Sequence, residues 1–71
     1  MTVKEFYEQE KNKYPESIRM VIASNEEAED CDFADEIVEL YGHRKLIEGH
    51  PLKLATGEIV LVAEIEEEQN E

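Results

Sequence analysis

The side chains best suited to chemistry in this 71-residue chain are one cysteine and two histidines, Cys31, His43 and His50. Their spacings match none of the paired patterns, such as Cys-x2-Cys, that hold structural zinc. A Cys–His nucleophile is not supported either, since no third residue that would orient the histidine can be identified. We expect Cys31 to be a small, partly buried core residue, His43 to interact with the end of a helix, and His50 to be an ordinary turn residue.

Other motifs with known chemistry fail on inspection. The run Asp30-Cys31-Asp32 begins like a calcium-binding loop, but Asp35 stands where that loop requires glycine and Tyr41 where it requires glutamate. The chain has no Gly-rich phosphate loop and no Gly-x-Ser-x-Gly nucleophile elbow. We therefore expect no catalytic residue, no metal and no cofactor, and we do not expect an enzyme.

Acidic residues dominate the composition. Nineteen Asp and Glu against seven Lys and Arg give a net charge of −12. Such a surface repels nucleic acid and anionic membranes, because binding either requires neutralising phosphates with basic side chains. It attracts basic protein surfaces, most strongly at low salt. Solubility alone is the alternative explanation of this charge.

The acids are concentrated between residues 26 and 39, which hold eight of them and no Lys or Arg. Asp32, Asp35, Glu36 and Glu39 recur at i, i+3, i+4 and i+7, so in a helix they share one face. If the whole segment were helical, it would carry a charge about every 2.6 Å, against one per ~1.7 Å in duplex DNA. If it were extended, the resemblance in spacing would disappear. We predict a partner-binding surface made of Glu29, Asp32, Asp35, Glu36 and Glu39.

The first half of the chain predicts one helix and one strand. Thr2 and Glu5 form a capping box, and the helix is expected to run from Thr2 to about Lys13, before Pro15. Ser17–Ser24 alternates with a period of two and is largely apolar on both faces, which indicates a strand that is central or partly covered on its second side. Asn25–Cys31 is expected to be a loop or an extra helical turn.

The second half predicts a helix and a hairpin. The helix is expected over Asp32–Tyr41, with an apolar stripe, Asp32 as N-cap and Gly42 as a left-handed C-cap. Arg44–Leu54 and Glu58–Ile65 are predicted to be paired strands that turn at Thr56-Gly57. Gly49-His50-Pro51 predicts a bulge or a bend in the first of them, at an edge of the sheet.

These elements predict a single α+β domain over residues 1–65, followed by an acidic C-terminal tail over residues 66–71. Both helices are expected to pack on one face of a three-stranded, mainly antiparallel sheet in the order α-β-α-β-β. No apolar run is long enough to cross a membrane, and the N-terminus does not resemble a signal peptide, so a cytoplasmic location is expected.

The chain resembles the short acidic accessory proteins of bacteriophages and mobile elements. The resemblance lies in the Thr-Val-Lys-Glu-Phe opening, the Phe-Ala-Asp-Glu-Ile-Val-Glu-Leu-Tyr-Gly helix and the closing hairpin. Some proteins of that class are anti-CRISPR or other anti-defence proteins, which occupy basic nucleic-acid grooves with acidic side chains. The resemblance implies a similar role but transfers no individual functional residue.

Two functional hypotheses follow. The first is a non-enzymatic inhibitor or adaptor whose acidic face docks on a basic surface of a partner, such as the nucleic-acid channel of a nuclease, without itself binding nucleic acid. The second is a structural or assembly module that forms a homodimer, through the edge of the Arg44–Leu54 strand or the second face of the Ser17–Ser24 strand.

Overall fold

The structure is a computed structural model that describes residues 1–25 and 27–66. Two short helices and four strands follow one another along the chain. They are α1 (Val3–Glu10), a 3₁₀ turn (Lys11–Lys13), β1 (Arg19–Ser24), β2 (Glu27–Phe33), α2 (Ala34–Tyr41), β3 (Leu46–Lys53) and β4 (Ile59–Ile65). Within the described residues, no helix has the length and apolar character needed to span a bilayer. Glu26 and residues 67–71, most of the predicted tail, lie outside the described residues.

The sheet corrects the predicted fold. The domain is α+β with two helices, but its sheet has four strands in the order β2-β1-β4-β3 and is mixed, so the prediction of three mainly antiparallel strands is wrong. β1 pairs with β4 in parallel and with β2 in antiparallel fashion, and β3 and β4 form the expected hairpin. The added strand is β2, which occupies most of the segment expected to be a loop or a helical turn and the first two residues of the predicted second helix.

The central position of β1 confirms the prediction from its two apolar faces. One face of β1 and β4 carries Met20, Ile22, Leu61 and Ala63, all fully buried. Apolar side chains of both helices belong to the same buried cluster, so α1 and α2 cover this face. The core therefore lies between a layer of two helices and one face of the sheet, and neither α1 nor α2 covers the opposite face.

The start of α1 follows the predicted capping box. The Thr2 side-chain oxygen accepts a hydrogen bond from the Glu5 backbone N–H at 3.2 Å, and the Thr2 N–H donates to Glu5 Oε1 at 2.8 Å. The α-helix ends at Glu10 and tightens into the 3₁₀ turn, so together they cover almost the whole predicted range.

We expect Thr2→Ala to lower the free energy of unfolding by about 0.5–2 kcal/mol, because the helix loses one of its few N-terminal acceptors. Thr2→Ser keeps that acceptor and is the matched control. Urea unfolding of the three proteins measures the effect. Equal midpoints for the alanine and serine variants would contradict the assigned cap.

The second helix begins two residues later than predicted. Its N-cap position is Phe33, with no side-chain capping hydrogen bond, so the prediction of Asp32 as N-cap is wrong. Gly42 is at the C-cap but has right-handed geometry (φ −56°), so a left-handed cap is also wrong. Glycine is required there for another reason, because a Cβ would collide with the Val38 carbonyl of the preceding turn.

β3 is an edge strand, as predicted, but its irregularity lies elsewhere than predicted. The pairing of β3 with β4 shifts between Leu46 and Glu48, whereas Gly49, His50 and Pro51 pair regularly with β4. Gly49 is needed for packing, because a Cβ at this position would lie only 2.7–2.8 Å from atoms of the Phe6 ring. The Phe6 ring thus rests directly on the β3 backbone, which fixes α1 against the sheet.

Candidate functional site

The predicted acidic surface is divided between a strand and a helix. Glu29 and Asp32 lie on β2, and Asp35, Glu36 and Glu39 lie on α2. All five residues are exposed. The prediction that Asp32 shares a helix with the other acids is therefore wrong, and so is the charge spacing of a continuous helix, because half of the acidic segment is extended.

Four of the five acids nevertheless lie close together where β2 runs into α2. A hydrogen bond with the Asp32 carboxyl, and repulsion from the same group, raise the pKa of Glu36 above its ordinary value. The charges of Asp35 and Glu39 add smaller contributions of the same sign. Proximity across the strand–helix junction thus produces the cluster that helical periodicity had predicted. We call Asp32, Asp35, Glu36 and Glu39 the acidic cluster.

Glu29 lies apart from this group. It is the extra residue at an irregularity of β2, since Ile22 pairs with Asp30 and the next residue, Ala23, pairs with Ala28. Its charge acts on Tyr41. Glu29 therefore extends the acidic surface along the strand without joining the acidic cluster.

Asp30, which was not among the predicted site residues, joins the two acidic elements. Its Oδ2 accepts a hydrogen bond from the Tyr41 hydroxyl at 3.2 Å, which ties the end of α2 to β2. Partial burial and this hydrogen bond, together with the negative charge of Asp30, raise the pKa of Tyr41. The spacing Asp30–Tyr41 carries no local sequence signal, because only the strand–helix packing brings the two together.

β2 forms an edge of the sheet, and its pairing with β1 fixes which backbone groups point outward. The Ala34 N–H donates to the Ile18 carbonyl at 2.9 Å, so the pair that follows along the strands, Arg19 with Phe33, is a non-hydrogen-bonded one. Because hydrogen-bonded and non-hydrogen-bonded pairs alternate along the strands, the N–H groups of Phe33 and Cys31 face away from β1. We call these two outward-facing N–H groups the edge donors.

Both edge donors are covered by neighbouring aspartates. The Cys31 N–H donates to Asp30 Oδ1 at 2.9 Å, and the Phe33 N–H donates to Asp32 Oδ1 at 2.8 Å. A further strand could add to this edge only by breaking these bonds. The rim of β2 therefore presents oxygen acceptors, which match the guanidinium and ammonium groups of a basic partner.

Two ion pairs lie on another part of the molecule. Lys11 pairs with Glu8 and Lys13 with Glu10, at 2.9 and 3.2 Å, along α1 and the 3₁₀ turn. Neither pair involves the five predicted binding residues. The negative charge of the five predicted binding residues is therefore not neutralised by these two ion pairs.

We expect Glu36→Gln to raise the melting temperature slightly at pH 7. The raised pKa means that protonation of Glu36 favours the fold, so this contribution is present below about pH 4 and is lost as the pH rises through the raised pKa. The gain from Gln should therefore shrink as the pH falls to about 4. Thermal unfolding at pH 7 and at about pH 4, with Glu58→Gln as control, measures this gain in melting temperature. An equal gain at both pH values would contradict the raised pKa of Glu36.

The remaining candidate residues do not assemble. Cys31 is exposed on β2, so its assignment to the core is wrong. His43 follows α2 and is exposed, and His50 lies in β3, at the opposite edge of the sheet from Cys31, rather than in a turn. Among the described residues, no three His, Cys, Asp or Glu side chains are arranged to hold a metal ion.

Two shallow depressions lie near Pro15 and Ile18. One, of about 270 Å³, is bordered by Tyr7 and Lys11, and the other, of about 280 Å³, by Tyr14 and Ile59. None of the predicted binding acids lines either of them. The acidic surface therefore lies outside both of these depressions.

Comparison of the chain with protein families, with curated proteins and with solved structures finds no match.

Proposed function

We propose that the protein is a non-enzymatic inhibitor or adaptor that docks its acidic surface on a basic surface of a partner protein. The observation that carries the proposal is the acidic cluster itself. A hydrogen bond with Asp32, and repulsion from the charges of Asp32, Asp35 and Glu39, raise the pKa of Glu36, so the charged form that Glu36 takes at neutral pH opposes folding. A basic partner would neutralise these carboxylates on binding. The repulsion that destabilises the free protein would then favour formation of the complex.

The chemistry of the β2 rim supports the same kind of partner. Its carboxylates and outward carbonyl groups accept hydrogen bonds, while Asp30 and Asp32 cover the outward N–H groups of Cys31 and Phe33. Arginine suits such a rim better than lysine, because a guanidinium donates to two oxygens at once. The partner we propose is an arginine-rich nucleic-acid-binding surface in the cytoplasm, such as the channel of a nuclease of the kind that anti-CRISPR and other anti-defence proteins block.

A pull-down from lysate at low salt tests the proposal when wild-type protein is compared with two charge-matched variants. The first replaces Asp35, Glu36 and Glu39 by Asn, Gln and Gln. The control replaces Glu8, Glu16 and Glu58, which are exposed acids outside the acidic surface, by Gln. We expect the control to retain proteins that elute with salt, and the first variant to lose them. Equal retention by both variants would exclude the acidic cluster as the docking surface.

A further inference from the structure

The sheet face opposite the helices is a second, apolar surface. Register places Val21 beside Val62, one residue out of phase with the buried partners Met20 and Leu61, so both valines point away from the helices. Val60 also lies on this face: it is only 3% exposed, yet it does not belong to the helix-covered cluster. We call this surface the open face; its accessible apolar side chains are Val21, Ala23, Phe33, Leu52 and Val62, and Cys31 and His50 lie on the same face, beside Val21 and Val62.

Charges on the open face are few and lie at opposite ends. Arg19 lies at the start of β1 over the Phe33 ring, 5.3 Å from its centre. Two acids, Glu64 and Glu48, lie at the other end. Glu64 is paired with Ala23 on one side and with Glu48 on the other. In a chain of net charge −12 this near-neutral arrangement is unusual. It is also self-complementary, because turning one copy end over end brings its positive end over the negative end of another.

We propose that a second copy of this chain covers the open face, with a two-fold axis that crosses the strands. In this arrangement the strands of the two copies run in opposite directions, and Arg19 of each copy lies against Glu64 of the other. The apolar rows between these ends stack on each other. The acidic cluster lies on the helix side and at the β2–α2 junction, so stacking does not bring the two clusters together.

The size of the open face sets the strength of the dimer. Four strands about 4.8 Å apart, each rising about 3.3 Å per residue over some seven residues, give a face of roughly 19 by 23 Å. Two copies would then bury on the order of 900 Å² in total, below the standard size of stable interfaces. We therefore expect a weak dimer that forms with rising protein concentration.

Sedimentation equilibrium from about 10 μM to about 1 mM protein tests the dimer. Val62→Glu should weaken dimerisation about tenfold or more. The control Leu40→Glu should leave it unchanged, because Leu40 is an exposed residue of α2 and lies away from the open face. Circular dichroism checks that both variants are folded. A protein that stays monomeric at all concentrations, or a dimer that is insensitive to Val62→Glu, would overturn the proposal.

A charge-reversal cycle tests the arrangement without changing the apolar surface. Arg19→Glu and Glu64→Arg should each weaken the dimer, and the double variant should restore the wild-type association constant to within a few-fold. Failure of the double variant to recover would overturn the two-fold arrangement. The inference is independent of the acidic docking surface, since a strictly monomeric protein that still binds a basic partner would contradict only the dimer.

Discussion

Phe6→Ala is expected to lower the free energy of unfolding by about 3–5 kcal/mol, the loss typical of a buried aromatic ring. Phe6 is only 5% exposed and joins α1 to the sheet by resting on Gly49 of β3. A domain of 71 residues has a total stability of only about 4–11 kcal/mol, so the variant should be close to unfolding at 37 °C.

Phe33→Ala is the matched control for this variant. Phe33 is 42% exposed and lies on the open face, away from the helix-covered core. Its loss should cost much less than that of Phe6. Urea unfolding of both variants compares the two rings of the same type, and equal losses would contradict the placement of the core on one side of the sheet.

Gly49→Ala is expected to lower the free energy of unfolding by about 1–3 kcal/mol through overpacking. The added methyl group would lie 2.7–2.8 Å from three atoms of the Phe6 ring, so the ring or the strand must move. Combining Gly49→Ala with Phe6→Leu removes part of the clash. The double variant should therefore lose less stability than the sum of the two single changes, and strict additivity would contradict the contact.

The elements that the sequence predicts well are those with local signals. The capping box of α1 lies within four residues, and the alternating apolar pattern of β1 indicates its central position. The turn of the closing hairpin includes Gly57 at φ 94°, a conformation that glycine adopts readily. In each case the residues that determine the structure are close together in the sequence.

β2 was missed because most of its sequence, EAEDCDF, does not favour a strand. Glu, Asp and Ala have low strand propensity, and β2 has no buried face. It becomes a strand because β1 offers a row of hydrogen-bonding groups and Asn25 supplies the turn, with a φ of 54°. The direction of the β1–β4 pairing is likewise a property of the whole chain, since parallel and antiparallel neighbours give the same alternation.

The acidic cluster was predicted as a group of residues but on the wrong structural basis. Helical spacing brought Asp32 together with Asp35, Glu36 and Glu39, and the structure brings the same four together although Asp32 belongs to β2. The agreement arises because a strand that leads directly into a helix places its last residues beside the first turn. The covered edge donors and the role of Asp30 follow from strand pairing and could not be read locally.

The measurement that tests the acidic docking surface most directly is the affinity of the protein for a nine-residue arginine peptide at two salt concentrations. Calorimetric titration would compare wild type, the Asp35, Glu36 and Glu39 variant, and the charge-matched Glu8, Glu16 and Glu58 variant. All three must first show the same circular dichroism spectrum. We predict that the first variant binds most weakly and has the flattest salt dependence, while the control stays close to wild type. Equal affinity and equal salt dependence in the two variants would contradict the account, because binding would then follow net charge alone.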